Sequence, residues 1–161
     1  MKDINTILYA SDLINHDGRE VFATAVREAI LHKARLVFLN VIEPVDESTR
    51  FYLQSYLSDE QMEKIRDDRA ESVRAEIESR IRAFCHEELL DQQGMQAEDV
   101  EALVLIGNPE RKIIEAARQV NADLLVIGTR VHSALGEIIH HSVAHYVTTH
   151  TPCTVMICHI R

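Results

Sequence analysis

Two stretches in the last third of the chain have the residue types and spacing to hold a charged small molecule. Gly107-Asn108-Pro109 has the form of a turn opening a helix, because Asn suits the N-cap and Pro the first helical position. Asp123-Leu-Leu-Val-Ile-Gly128-Thr129 reads as a buried strand ending in a glycine turn, and Ser142-Val143-Ala144 falls in the helix that follows. A strand that ends in glycine before a helix places a ligand at the carboxyl edge of an α/β sheet, where backbone N–H groups and the helix dipole favour an anion. A loop that cradles phosphate needs further glycines, and this segment has Val131 and His141 instead.

Other chemistries have less to stand on. His140, His141, His145 and His150 lie close together, with Cys153 nearby. His141 and His145 are i, i+4 neighbours and are the weak candidates for a metal pair. A helical wheel sets both roughly opposite the Ile139, Val143, Tyr146 stripe and toward solvent, with His150 on the apolar side. No carboxylate in the stretch has a matching spacing, so the expectation is surface histidines and no metal site. Ser11 and Asp12 lie near the expected crevice, yet no histidine is placed by sequence as a base and no Gly-x-Ser-x-Gly occurs. Cys153 follows Pro152 at the start of an expected buried strand and has no evident cation to lower its pKa. A Walker-type lysine loop is missing. No catalytic residue is assigned, and the expectation is a protein that is not an enzyme.

The elements that must position these residues follow from periodicity. Ile4–Ala10 and Arg35–Ile42 read as apolar strands, with a helix from Asp17 to His32 whose face is Val21, Ala25, Val26, Ala29 and Ile30. Val45–Leu57 has no clear period. Ser58 and Gln61 form a capping-box pattern at the head of a helix with the stripe Met62, Ile65, Val73, Ile77, Ile81 and Phe84. The opposite charges on its other face read as a solvated surface. A polar loop covers Leu89–Glu98, and Val100–Ile106 is the third strand. The helix after Pro109 buries Ile113, Ile114, Ala117 and Val120. Leu124–Ile127 is the fourth strand, a last helix lies within Gly136–His150, and Cys153–Ile157 is the fifth strand. Alternating strands and helices imply a parallel sheet with helices on both faces, joined by right-handed crossovers. No repeat or linker interrupts the pattern, so residues 1–161 read as a single domain.

Composition supports an ordinary globular chain. It has 161 residues, 46% apolar and 27% charged, and no apolar run near the ~20 residues that span a bilayer. The N-terminus leads into a strand without signal-peptide organisation, and three cysteines without metal spacing point to reduced, mostly buried thiols. The expected location is cytoplasmic. A net charge of −9 argues against binding nucleic acid or an anionic membrane. Nine histidines would bring that charge to zero if all were protonated, so it depends strongly on pH near 6 to 7.

In order and spacing, six pieces resemble the universal stress protein family: Ile7-Leu-Tyr-Ala-Ser-Asp12, Leu39-Asn-Val-Ile-Glu-Pro44, Gly107-Asn-Pro109, Ala122-Asp-Leu-Leu-Val-Ile-Gly-Thr129, Ser142-Val-Ala144 and Thr151-Pro-Cys-Thr-Val155. The resemblance implies a Rossmann-like α/β fold with a five-stranded parallel sheet ordered 3-2-1-4-5, paired into a dimer. The ligand crevice then falls between strands 1 and 4. In ATP-binding members a loop of pattern Gly, two residues, Gly, nine residues, Gly, Ser/Thr follows the fourth strand. Here it falls on Gly128, Val131, His141 and Ser142, matching only at its ends, with Gly136 out of register. A β-branched valine resists the positive φ that glycine permits. The chain in this respect is similar to the universal stress protein A branch, whose members lack the ATP loop.

The resemblance sets Asp12 beside adenine and ribose, gives Val41 backbone hydrogen bonds to adenine, and makes Gly107 keep the next loop compact. Ala10, Ile127, Ser142 and Val143 complete the candidate crevice. Asp12, Val41, Gly107 and Gly128 read equally as plain fold requirements: a cap, a core residue and two turn formers. The function implied is a non-enzymatic stress-response protein acting through ligands or protein clients, with ATP binding weakened or lost. The alternative is an adenine-nucleotide binder, for ATP or AMP, or a slow ATPase with a variant loop. In the 3-2-1-4-5 order the fifth strand is an apolar edge (Cys153, Thr154, Val155, Met156, Ile157), and pairing it with its two-fold copy gives a homodimer.

Overall fold

The computed structural model describes residues 3–12, 18–44, 51, 54–130 and 143–160, apart from the side chains of Ile65 and Arg130. Five strands, β1 Thr6–Ala10, β2 Arg35–Ile42, β3 Val100–Ile106, β4 Leu124–Arg130 and β5 Thr154–Ile160, form one parallel sheet in the order β3-β2-β1-β4-β5. The helices are α1 Gly18–His32, α2 Asp59–Glu88, α3 Pro109–Gln119 and α4 Val143–His150. The expected architecture and strand order are therefore those observed.

Strands covered on both faces must be apolar at every position, which is why the central three read as continuous runs. Alternate residues divide between two cores. Ile7, Tyr9, Leu36, Phe38, Leu124 and Val126 pack against α1 and the C-terminal half of α2. Leu8, Val37, Leu39, Leu125 and Ile127 pack against α3 and α4. α1 buries Val21, Phe22, Ala25, Val26 and Ala29, and α3 buries Ile113, Ile114, Ala116 and Ala117.

Local signals fix the element ends. The Ser58 hydroxyl accepts from the Gln61 N–H at 3.3 Å while the Gln61 side chain accepts from the Ser58 N–H at 3.0 Å, the reciprocal capping box expected. Asn108 Oδ1 accepts from the Arg111 N–H at 3.1 Å, with Pro109 following as the first helical residue. The Asp123 carboxylate accepts from the N–H groups of Asn5 and Thr6 at 3.0 and 3.1 Å, tying the start of β4 to the start of β1.

Several boundaries differ from expectation. β1 begins at Thr6, with Ile4 outside the ladder. β4 does not stop at a glycine turn but runs through Gly128 to Arg130, with Gly128 paired to Cys158. β5 begins at Thr154 and continues to Ile160, so Cys153 lies outside it. Only one face of this edge strand packs well: Ile157 is 39% exposed, and Cys153 and Cys158 are half-buried while Cys85 is buried. Of the α2 stripe, Ile81 is buried while Met62, Val73, Ile77 and Phe84 are half-buried; Cys85, beside the stripe, is buried, and Leu89 and Met95 are core residues within the expected polar loop. His150 is exposed rather than apolar-facing; its ring stacks on Tyr146 at 4.0 Å and its Nδ1 lies 2.8 Å from the Tyr146 carbonyl oxygen. No helix among the described residues is long and apolar enough to cross a membrane.

Candidate functional site

The topology opens a crevice. β1 ends at Ala10, which pairs with Leu39 on β2 and Ile127 on β4. β2 runs on to Ile42 and β4 to Arg130, while their helices leave on opposite faces. At about 3.3 Å per residue, the sheet thus has a gap roughly 10 Å deep where β1 has stopped. The crevice at this end of the sheet encloses about 1100 Å³. It is where a doubly wound sheet binds ligands.

Ala10, Asp12, Val41, Ile127, Gly128 and Val143 all line the crevice, so the structure brings together six of the eight residues singled out from sequence. Apolar walls come from Val41, Ile113, Ile127 and Val143; polar groups come from Ser11, Asp12, Asn40, Glu43 and Arg80. Asp12 is exposed at the lip. Ser11 N–H donates to the Leu39 carbonyl at 3.0 Å. Alternate residues of a parallel strand present their N–H and C=O to the same neighbour. Val41, two on from Leu39, therefore turns its N–H and C=O toward the side on which β1 has ended.

Gly107 does not line the crevice. Its φ of +150° suits glycine, its N–H donates to the Ile42 carbonyl at 2.9 Å, and a Cβ there would lie 2.8 Å from Lys112 Cε. It shapes the turn into α3. Gly128 lines the crevice, and its place in the strand demands a glycine for packing. It is a strand residue without positive φ, and a Cβ on it would lie 2.8 Å from Ile160 Cδ1 and 3.0 Å from Val21 Cγ2. The glycine lets β5 and α1 close over β4.

Ser142, Val131, Gly136, His140 and His141 lie outside the described residues. His145 is exposed, and among the described residues no three His, Cys, Asp or Glu side chains are grouped to hold a metal ion.

Tyr9, Asn40, Glu43 and Arg80 are among the lining residues that neither periodicity nor resemblance singles out. Tyr9 is 1% exposed; burial is the main cause pushing its hydroxyl up to about 12, so it stays a neutral donor across the physiological range. Asn40 is the buried polar residue of the described chain, and its Nδ2 donates to the Ser11 carbonyl at 2.8 Å. An Asn inside the apolar run Arg35–Ile42 was the available signal, since a buried amide requires a partner.

A model of the universal stress protein family matches residues 4–159. A universal stress protein of Thermus aquaticus, named for its place in a QAH/OAS sulfhydrylase 3' region, is 36% identical over 152 residues, covering 94% of this chain and 96% of that one. Among solved structures, UspA from Lactobacillus plantarum superposes with a TM-score of 0.68 at 21% identity over the whole of both chains. A universal stress protein in complex with cAMP gives 0.65 at 20% identity, covering 99% and 100%. One from Archaeoglobus fulgidus in complex with dAMP gives 0.56 at 16%, covering 97% and 98%. The chain belongs to the universal stress protein family.

Proposed function

We propose that this protein is a non-enzymatic, cytoplasmic stress-response protein that holds an adenine nucleotide of the monophosphate class in the crevice and acts as a homodimer on protein clients. The observation that carries the reading is the crevice itself, with the Val41 backbone facing the gap left by β1 and the Asp12 carboxylate at its lip. Val41 supplies the donor and acceptor that an adenine edge requires, the apolar walls cover the base, and the carboxylate suits ribose hydroxyls. Two universal stress proteins of the same fold hold cAMP and dAMP, each with a single phosphate.

A triphosphate is disfavoured. Gly128 lies within a strand and serves packing, and Val131 and His141 occupy positions where a phosphate loop has glycine. Mass spectrometry of ligand released from freshly purified protein tests the reading. Released AMP, cyclic AMP or dAMP supports it. Stoichiometric ATP supports the competing reading of a slow ATPase with a variant loop.

The dimer reading rests on β5. It is an edge strand, and its open side carries a row of backbone groups next to half-buried Val155, Met156 and exposed Ile157. Pairing it with a second copy satisfies those groups and covers apolar surface. The residues act as one domain over 1–161.

A further inference from the structure

We propose that Tyr9 and Asn40 are positioning residues of the crevice: together they brace Ser11 and so fix where Asp12 meets the ribose. This inference rests on the nucleotide reading above for its ligand, and on four hydrogen bonds and two ring contacts for its geometry.

The Tyr9 ring is locked from below. It packs edge-on to Phe38 at 4.7 Å and 82°, and against Phe22 at 5.6 Å, and both neighbours are almost fully buried. A ring so confined holds its hydroxyl at a fixed point. That hydroxyl donates to the Gly18 carbonyl at 3.2 Å, the first residue of α1, and is also hydrogen-bonded by the Ser11 side chain. It therefore ties the end of β1 to the start of α1.

Asn40 completes the brace from β2. Phe38 and Asn40 are two apart on one strand and so share the face that carries Tyr9. Asn40 is 4% exposed, and its amide holds the Ser11 carbonyl at 2.8 Å while the Ser11 N–H holds Leu39 at 3.0 Å. Ser11 is thus gripped at its N–H, its carbonyl and its side chain. Its peptide plane leads directly into Asp12, so the backbone enters Asp12 on a set path. A misplacement of one ångström at the Asp12 carboxylate would forfeit a bidentate contact to a ribose diol.

The test is a double-mutant cycle read by calorimetry with AMP and with free adenine, using the full chain. Tyr9→Phe keeps the ring and removes the hydroxyl. It is expected to weaken AMP about 3- to 10-fold, the range of one hydrogen bond. It should leave adenine affinity unchanged and cost nothing further in the Asp12→Ala background. Asn40→Ala should give the same pattern. A Tyr9→Phe loss fully additive with Asp12→Ala, or an equal loss for adenine, overturns the proposal. Amide exchange at Ser11 supplies a readout without ligand: it should quicken several-fold in Tyr9→Phe, and an unchanged rate also overturns the proposal. Should the wild-type chain bind no AMP, the nucleotide reading fails on its own, and the exchange rate still decides the brace.

Discussion

Replacing Gly128 with alanine separates a packing glycine from a ligand glycine. The added Cβ lands 2.8 Å from Ile160 Cδ1 and 3.0 Å from Val21 Cγ2. The first contact is with the far end of an edge-strand side chain, which can rotate aside. The second is with a β-branched residue on α1 that is 2% exposed, and it has nowhere to go. Overpacking of this kind costs about 1–3 kcal/mol, offset by roughly 0.5–1 kcal/mol from removing glycine's extra freedom in the unfolded chain. The net expectation is a loss of about 1–2 kcal/mol, or a Tm lower by about 2–8 °C for a domain of this size. Urea denaturation at constant m-value measures it. Adding Val21→Ala should recover part of the loss, giving a favourable coupling of about 1 kcal/mol between the two substitutions. A neutral or stabilised Gly128→Ala, or a double mutant with no coupling, refutes the packing argument.

Gly107→Ala should cost about 1–2 kcal/mol through its positive φ, and shortening Lys112 should relieve only the steric part, as thermal melts of the pair would report. Asn108→Ala, removing the cap of α3, should cost about 1 kcal/mol by urea titration. Burial raises Tyr9 from 10.0 and Cys85 from 9.0, each to about 12. Both groups favour the folded state below their unfolded values, so that stability is fully present below about pH 9 and is lost as pH rises toward 12; Cys85→Ala should flatten the part that begins near 9 in a stability–pH profile. Light scattering of the wild-type chain should give twice the 18.4 kDa chain mass, and Val155→Pro should give a monomer; a dimer indifferent to that proline sinks the β5 interface. The double substitution Val131→Gly, His141→Gly should raise ATP affinity by calorimetry, and an unchanged affinity means that more than the loop has diverged.

Much of this was legible in the sequence because it rests on short-range rules. Ser58 with Gln61 and Asn108 with Pro109 announce their helix starts through local hydrogen bonds, and both are present. The buried strands announce themselves as apolar runs, and their alternation with helices gives the sheet. Long-range packing was not legible. Gly128 reads as a turn, because nothing nearby in sequence reveals that Val21 and Ile160 close on it. His150 reads as apolar-facing on a wheel continued from Ile139, whereas the described helix turns it to solvent against Tyr146. The crevice residues Asp12 and Val41 were found through resemblance. Tyr9 and Asn40 were missed because their partners, Gly18 and Ser11, are visible only once the sheet has formed.

The central claim is that the crevice takes an adenine monophosphate in preference to the triphosphate. Parallel calorimetric titrations of the wild-type chain with AMP and ATP test it most directly. The account predicts saturable, one-to-one AMP binding at least about tenfold tighter than ATP, a difference of ~1.4 kcal/mol. ATP binding as tightly as AMP, or neither nucleotide binding, would contradict it.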